Sequence, residues 1–257
     1  MRKRGIVEEN FGKEWFGSRY YHLLYGHRDD AEAKLFLDNL IGFLNLKKEQ
    51  RILDLACGSG RHSVYLAKKG FDVTGIDFSA DNIKRAKDKG MNSCFFVGDM
   101  RDEYRKKYFN IVFNLFTSFG YFDNEKDDLK VLKSIHKSLK DNGILVLDFM
   151  NVKRIVSTLK REEKKTIGEV KFYITRRLEK SFIFKKIEIE KISPSSEKKL
   201  KKSVFLEKVK MLRLEDFKKY FDETGFKIKN VFGDYHLTPF DVKKSERLII
   251  LAVKKGL

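Results

Sequence analysis

The sequence predicts an α/β fold: a doubly wound sheet of alternating strands and helices, with an N-terminal helical cap and an inserted antiparallel β-sheet. Five short apolar runs recur from residue 51, namely RILDLAC, FDVTGIDF, SCFFVGD, FNIVFNLF and GILVLDFM. The stretches between them, such as SADNIKRAKDKG and DNEKDDLKVLKSIHKSLKDNG, carry apolar residues at helical spacing and run into Gly90 and Gly143, where helix stops are expected. Strands that alternate with helices pair in parallel through right-handed crossovers, so a ligand belongs at their carboxyl ends. From about 165 to 212 the pattern changes. EVKFYITRRL, SFIFKKIEIE and SVFLEKVKML alternate apolar and charged residues with period two and follow one another without helices.

Taken in order, residues 1–45 read as a helical cap rich in aromatics, in which Trp15 and Phe16 pack the cap against the body. Residues 46–160 and 213–257 read as the core, and residues 161–212 as the antiparallel insertion on the substrate side. After the insertion, RLEDFKKYFDETGF is an amphipathic helix closed by Gly225. KIKNVFGDY and ERLIILAVK then return as strands, which brings the main sheet to seven.

A chain of 257 residues with 42% apolar content supports one sizeable core with a smaller attachment. No apolar run approaches the roughly 20 residues of a membrane-spanning helix, and the N-terminus lacks the apolar stretch of a secretion signal, so a soluble cytoplasmic protein is expected. The only cysteines are Cys57 and Cys94, which leaves no C-x-x-C pattern for a metal or redox site, and no metal is expected. The net charge is +18 and the pI about 9.6. Lysines lie in pairs throughout and interleave with acids. That describes a solvated surface better than one phosphate-binding stripe, although SPSSEKKLKKS (193–203) is a local basic block.

The chemistry concentrates at the strand ends. Asp54 closes the first apolar run, Ala56, Gly58 and Gly60 form a turn with little side-chain bulk, and Asp77 ends the second run. A bare turn lets backbone approach a ligand, and a carboxylate at the second strand end can accept from both hydroxyls of a ribose. That pair alone fits a dinucleotide as well. The third strand end, FVGDMRD, adds Asp99, able to accept from an exocyclic amine, with Met100 against a purine face. Asp54 reads as a cap for backbone amides of the turn, and Cys57 as a small filler.

On these residues the chain resembles the class I S-adenosylmethionine-dependent methyltransferases, with DLACGSG as the acidic residue and glycine loop and Ala56 at the first glycine position. The resemblance spans roughly 51–150 and the terminal strand pair, and implies a Rossmann-like, seven-stranded, mostly parallel sheet. It also implies that the backbone at Gly58 and Gly60 meets the methionine moiety of S-adenosyl-L-methionine, that Asp77 binds the ribose and Asp99 the adenine amine. Phe78, Met100, Leu115 and Phe116 would sandwich the base.

Within that group the plan is similar to small-molecule N-methyltransferases that act on amino sugars. The shared pieces are YHLLY (Tyr21 to Tyr25), GDMRD, TSFGYF (117–122) and the insertion. The D/N-P-P-Y motif of DNA amino-methylating enzymes is absent, and so are paired cysteines for carbon methylation of cytosine. Tyr21, Tyr25 and Arg28 are expected on the cofactor, with Tyr25 and Arg28 at the methionine carboxylate, because guanidinium recognises carboxylate bidentately. Tyr121 stands where the sugar enzymes carry a histidine; it either orients an amine, binds an alkylated ammonium through its ring, or is an aromatic lid residue. Arg247 matches a substrate-side arginine of the group, with a salt bridge as an equally plain account, and His236 is the candidate base. His62 and His136 read as packing or surface residues.

The expected activity is methyl transfer to an amine or hydroxyl of a small molecule. The alternatives are an RNA- or protein-directed methyltransferase of the same fold, which the charge favours, and a non-catalytic S-adenosylmethionine-binding regulatory protein. Either a monomer or a homodimer fits.

Overall fold

The computed structural model describes residues 13–26, 30–89, 94–191 and 203–256. Helices α1 (Lys13–Gly17), α2 (Arg19–Tyr25) and α3 (Asp30–Leu44) come first. Then β1 (Arg51–Leu55), α4 (Arg61–Lys68), β2 (Asp72–Asp77), α5 (Ala80–Lys87), β3 (Phe95–Val97), β4 (Phe109–Asn114), α6 (Glu125–Ser138), β5 (Leu139–Met150) and α7 (Val152–Ser157) alternate. Four consecutive strands follow: β6 (Glu162–Ile167), β7 (Val170–Glu179), β8 (Phe182–Lys191) and β9 (Ser203–Lys210). The described chain finishes with α8 (Leu214–Glu223), β10 (Phe226–Phe232) and β11 (Arg247–Lys254). Among the described residues no helix is long and apolar enough to cross a membrane.

The chain divides into two compact units. One holds residues 28–157 and 212–257, the other residues 1–27 and 158–211. Helix α3 therefore belongs with the main sheet, whereas α1 and α2 belong with the antiparallel strands, so the single cap drawn over 1–45 is split. The cause is the apolar face of α3: Phe36, Leu37 and Leu40 are fully buried in one cluster with Ile52, Leu66 and Phe113.

The larger unit carries a seven-stranded sheet in the order β10-β11-β5-β4-β1-β2-β3. Strands β1 to β5 pair in parallel, and β11 runs antiparallel between β5 and β10. The connections run outward in opposite directions from β1 and β4, so the switch point lies between these two neighbours, and a ligand crevice is expected outside their carboxyl ends. Helices start where caps are available. Ser79 accepts from the Asn82 N–H at α5, and Asn124 accepts from the Asp127 N–H at α6, whose first turn also carries Glu125 and Asp128 toward the positive end of the helix. Helix α6 stops at Ser138, before the expected Gly143. Buried Leu139 pairs with Phe109 in the sheet, and the register then shifts before Ile111 meets Ile144.

The smaller unit has a four-stranded antiparallel sheet in the order β6-β7-β8-β9. Its first strand, EEKKTI, has no buried residue and so no apolar alternation to announce it; the pattern shows three strands where the structure has four. Trp15 and Leu24 pack with Phe172, Ile174, Ile187 and Ile189 of this sheet.

A small cluster lies beneath the first two strand ends. The Phe95 ring fills the space that side chains at Gly60 and Gly75 would otherwise occupy. A Cβ built at Gly75 would lie 2.6 Å from Phe95 Cδ1, and one at Gly60 would lie 2.8 Å from Phe95 Cζ and 2.9 Å from Ala86 Cβ. Gly75→Ala should therefore cost about 2–3 kcal/mol by overpacking. In a Phe95→Leu background the same change should cost at least ~1 kcal/mol less. Urea denaturation of the four proteins measures both values, and equal costs in the two backgrounds would remove Phe95 as the cause.

Candidate active site

The turn after β1 takes its shape from three left-handed residues: Ala56 (φ 64°), Gly58 (φ 56°) and Gly60 (φ 78°). The Cys57 N–H donates to the Ile76 carbonyl (2.9 Å), which ties the turn to the end of β2. The Cys57 thiol is buried beside Val64, Ile83 and Phe95, and burial pushes its pKa well up, as suits an inert filler. The two glycines have different tasks. A Cβ at Gly58 would meet nothing within 4 Å, so the backbone there faces open space, whereas Gly60 is closed off by Phe95 and Ala86. Of the two glycines expected at the methionine moiety, Gly58 has open space on its Cβ side and Gly60 does not.

Asp77 closes β2, nearly buried. Its Oδ2 accepts from the Gly58 N–H (2.9 Å), and its Oδ1 accepts from the Ser79 N–H (2.9 Å) and from Asn82 Nδ2 (3.3 Å). The carboxylate thus fixes the glycine turn at the same strand end where it was expected to receive a ribose. Asp54 is buried one layer deeper. Ser63, in the first turn of α4, donates its hydroxyl to Asp54 Oδ2 (2.5 Å). Burial pushes the Asp54 carboxyl up from 3.8 to about 6, against the lowering effect of the Ser63 bonds and with a further push from Asp77.

The third strand end departs from expectation in one respect. Asp99 is bound by Arg101, whose Nε reaches Oδ1 (3.0 Å) and whose Nη2 reaches Oδ2 (2.6 Å). Arg101 also meets Asp127 (3.3 Å) and lies over the Phe122 ring (4.7 Å to its centroid). Sequence reasoning passed over Arg101, although it stands two residues after Asp99 in GDMRD. Beside it Met100 is half-buried, and Phe78, directly after Asp77, is 38% exposed, an apolar surface left open at the strand end.

Beyond β4 the structure centres on a residue that motif reading missed. Asp148, fully buried in β5, accepts from the Phe116 N–H (2.8 Å) and the Tyr235 hydroxyl (3.2 Å) through Oδ2 and from Arg247 Nε (2.8 Å) through Oδ1. Its carbonyl accepts from the Thr117 N–H (2.9 Å), and Arg247 Nη2 donates to the Thr117 hydroxyl (3.0 Å). The available signal was one acid in the otherwise apolar run GILVLDFM. Arg247 is the half-buried ion-pair partner of Asp148, which is the salt bridge that stood beside a substrate contact as an equally plain account of this residue. Burial lowers its pKa, but the Asp148 charge outweighs this and the net shift is upward.

Leu115 is 3% exposed within the core, which removes it from the set expected to hold a base. Phe116 stacks on Tyr235 (centroids 5.4 Å apart, 29° between planes) and packs against His62, with the Arg61 guanidinium over its ring (4.4 Å). Tyr121 is half-buried after Gly120 (φ 82°). His236 is exposed in a turn where its N–H donates to Asp234 (2.9 Å), which does not fit a base acting at the strand ends.

Tyr21 and Tyr25 lie in the other unit, packed around Trp15. The Tyr25 hydroxyl meets Lys185, which pairs with Glu207 (3.2 Å). Arg28 lies outside the described residues, as do Gly90 and nearly all of the basic block at 193–203. Among the described residues no cluster of three potential metal ligands occurs.

Two outcomes follow for the turn. Ala56→Gly should raise stability by about 1 kcal/mol, because a left-handed residue with a Cβ is strained; a lower melting temperature would contradict this. Asp54 carries a raised folded-state pKa, so its contribution is fully present below pH 3.8 and is lost as pH rises through about 6. The stability of the wild type relative to Asp54→Asn should therefore fall by about 3 kcal/mol between pH 3.5 and 7. Denaturation curves across that range measure it, and a constant difference would refute the assignment.

A family model described as a methyltransferase domain matches residues 52–143. The glycine/sarcosine N-methyltransferase of Halorhodospira halochloris is 33% identical over 128 residues, 48% of each chain. The dTDP-3-amino-3,4,6-trideoxy-alpha-D-glucopyranose N,N-dimethyltransferase of Streptomyces venezuelae is 29% identical over 97 residues, 38% of this chain and 41% of that protein. The chain thus spans less than half of each of these relatives. The crystal structure of a S-adenosylmethionine-dependent methyltransferase from Clostridium acetobutylicum superposes with a TM-score of 0.77 at 21% identity, covering 92% of this chain and 96% of that one. The strand order and the turn after β1 agree with these findings: residues 52–143 match a methyltransferase domain, and the chain shares its fold with the Clostridium acetobutylicum methyltransferase.

Proposed function

We propose that this chain transfers a methyl group from S-adenosyl-L-methionine to the amine of a small molecule. The observation that carries the choice of amine is that the acids and imidazoles described at the strand ends are already engaged or unsuited as bases. Asp77 holds the turn, Asp99 holds Arg101, Asp148 holds Arg247, His236 is exposed in its own turn, and burial pushes the His62 imidazole down to about 3, too weak a base for the task. A hydroxyl acceptor needs a base to take its proton, whereas a neutral amine already presents a lone pair. The N-methylating relatives support the same reading. The RNA-directed alternative rests on net charge.

The residues present fit the cofactor. Gly58 faces open space at the turn, Phe78 offers exposed apolar surface, and Asp77 sits at the strand end between them. Backbone at Gly58 would meet the amino-acid arm, Asp77 the ribose, and Phe78 and Met100 the base, with Asp99 at its exocyclic amine. The cofactor supplies a methyl group on an activated sulfonium. The protein has to align the acceptor with that methyl and keep water away. A neutral amine would accept that methyl with its own lone pair and lose its surplus proton to solvent, so no side chain of this chain would have to act as a base. Tyr121, on the loop that Asp148 anchors, is placed in this reading to orient the amine.

Calorimetry with S-adenosylhomocysteine should show binding to the wild type and at least ~10-fold weaker binding to Asp77→Ala; a well-folded wild type that binds neither S-adenosylmethionine nor its product would overturn the reading. A transfer screen with labelled methyl donor over amines, phenols, sugars and RNA should give product with amines. Product confined to hydroxyl compounds or RNA would reject the amine assignment.

A further inference from the structure

Helix α4 begins directly after the glycine turn, and its N-cap, Gly60, contributes no side-chain cap bond. His62 lies in the first turn with 7% of its surface exposed. Its ring is 4.9 Å from that of Phe116, two residues beyond β4. Since α4 follows β1, His62 bridges the ends of the two strands that flank the switch point. The imidazole is neutral: burial, and secondarily the Arg61 guanidinium, push its pKa down to about 3. Its Nε2 is buried and has no hydrogen-bond partner. Native structures rarely leave such an atom unpaired unless a ligand or water completes it. The local field selects the kind of ligand. The positive end of α4 and the adjacent Arg61 both favour an anionic group.

We infer that His62 is a specificity-determining residue of the cofactor crevice: its Nε2–H donates to the α-carboxylate of the amino-acid arm, so the site discriminates against ligands that lack that carboxylate. This rests on the reading of the crevice as an S-adenosylmethionine site. It explains why a neutral imidazole lies one residue into the helix that follows the turn, and why the Phe116 ring packs at a tilt against one side of it. A packing role alone would be filled equally well by phenylalanine.

The test compares S-adenosylmethionine with its decarboxylated analogue, which keeps the amine and loses the carboxylate, by calorimetry on the wild type and His62→Phe. The wild type should prefer S-adenosylmethionine, and His62→Phe should shrink that preference by about 10-fold or more while binding the analogue within ~2-fold of the wild type. A preference unchanged in His62→Phe, or an equal loss for both ligands, would overturn the inference and leave the cofactor reading intact. A wild type that binds neither ligand would instead reject the cofactor reading itself. If His62→Phe fails to fold, the wild type still decides. The His62 Nε2 nitrogen resonance should move on adding S-adenosylhomocysteine and stay in place with methylthioadenosine, which has no amino-acid arm. The same response to both ligands, or to neither, would reject the role.

Discussion

One buried carboxylate sets the geometry of the far side of the site. Asp148 has no exposed surface, and it accepts from a backbone amide, a tyrosine hydroxyl and a guanidinium. Removing one partner from such a cluster leaves an uncompensated charge in the interior, at a cost of about 3–5 kcal/mol. The four groups therefore hold together or fail together. Phe116 and Thr117 both adopt left-handed backbone, which costs about 1 kcal/mol or more for each side chain. The N–H groups of these two residues are the ones that Asp148 receives, so the clamp and the strain occupy the same place. The loop carrying Tyr121 leaves β4 in the direction that this clamp dictates.

On the other side of the crevice, one carboxylate again links separate segments. Asp77 ends β2 yet binds the turn after β1 through Gly58 and the start of α5 through Ser79 and Asn82. Under it, Phe95 from β3 occupies the volume left by Gly60 and Gly75. The turn is thus packed from below, held from the side and open above at Gly58. A ligand arriving there meets a surface already ordered, which lowers the conformational cost of binding.

Much of this was legible from residue order. Strand and helix alternation gave the doubly wound sheet, since period and spacing are local properties of a chain. The bare turn, Asp77 and the third strand end with Asp99 could be placed because each stands at the end of an apolar run. The misreadings share one cause: burial and pairing depend on residues far away in sequence. Strand β6 was missed because an edge strand with no buried side chain has no apolar alternation to display. Leu115 and Phe116 look alike as apolar residues after a strand, but one is buried in the core and the other is stacked on Tyr235. For Arg247 a substrate contact and a salt bridge were equally open until β11 paired with β5 and brought it to Asp148.

The sequence alone determined the class of fold and the identity of the strand ends, because hydrophobic period and glycine placement act over a few residues. Only the tertiary structure decided which glycine faces open space, which acid is a clamp and which buried imidazole nitrogen lacks a hydrogen bond. Those distinctions arise when β1, β4 and β5 lie side by side. Residues about thirty or a hundred positions apart then compete for the same few lone pairs.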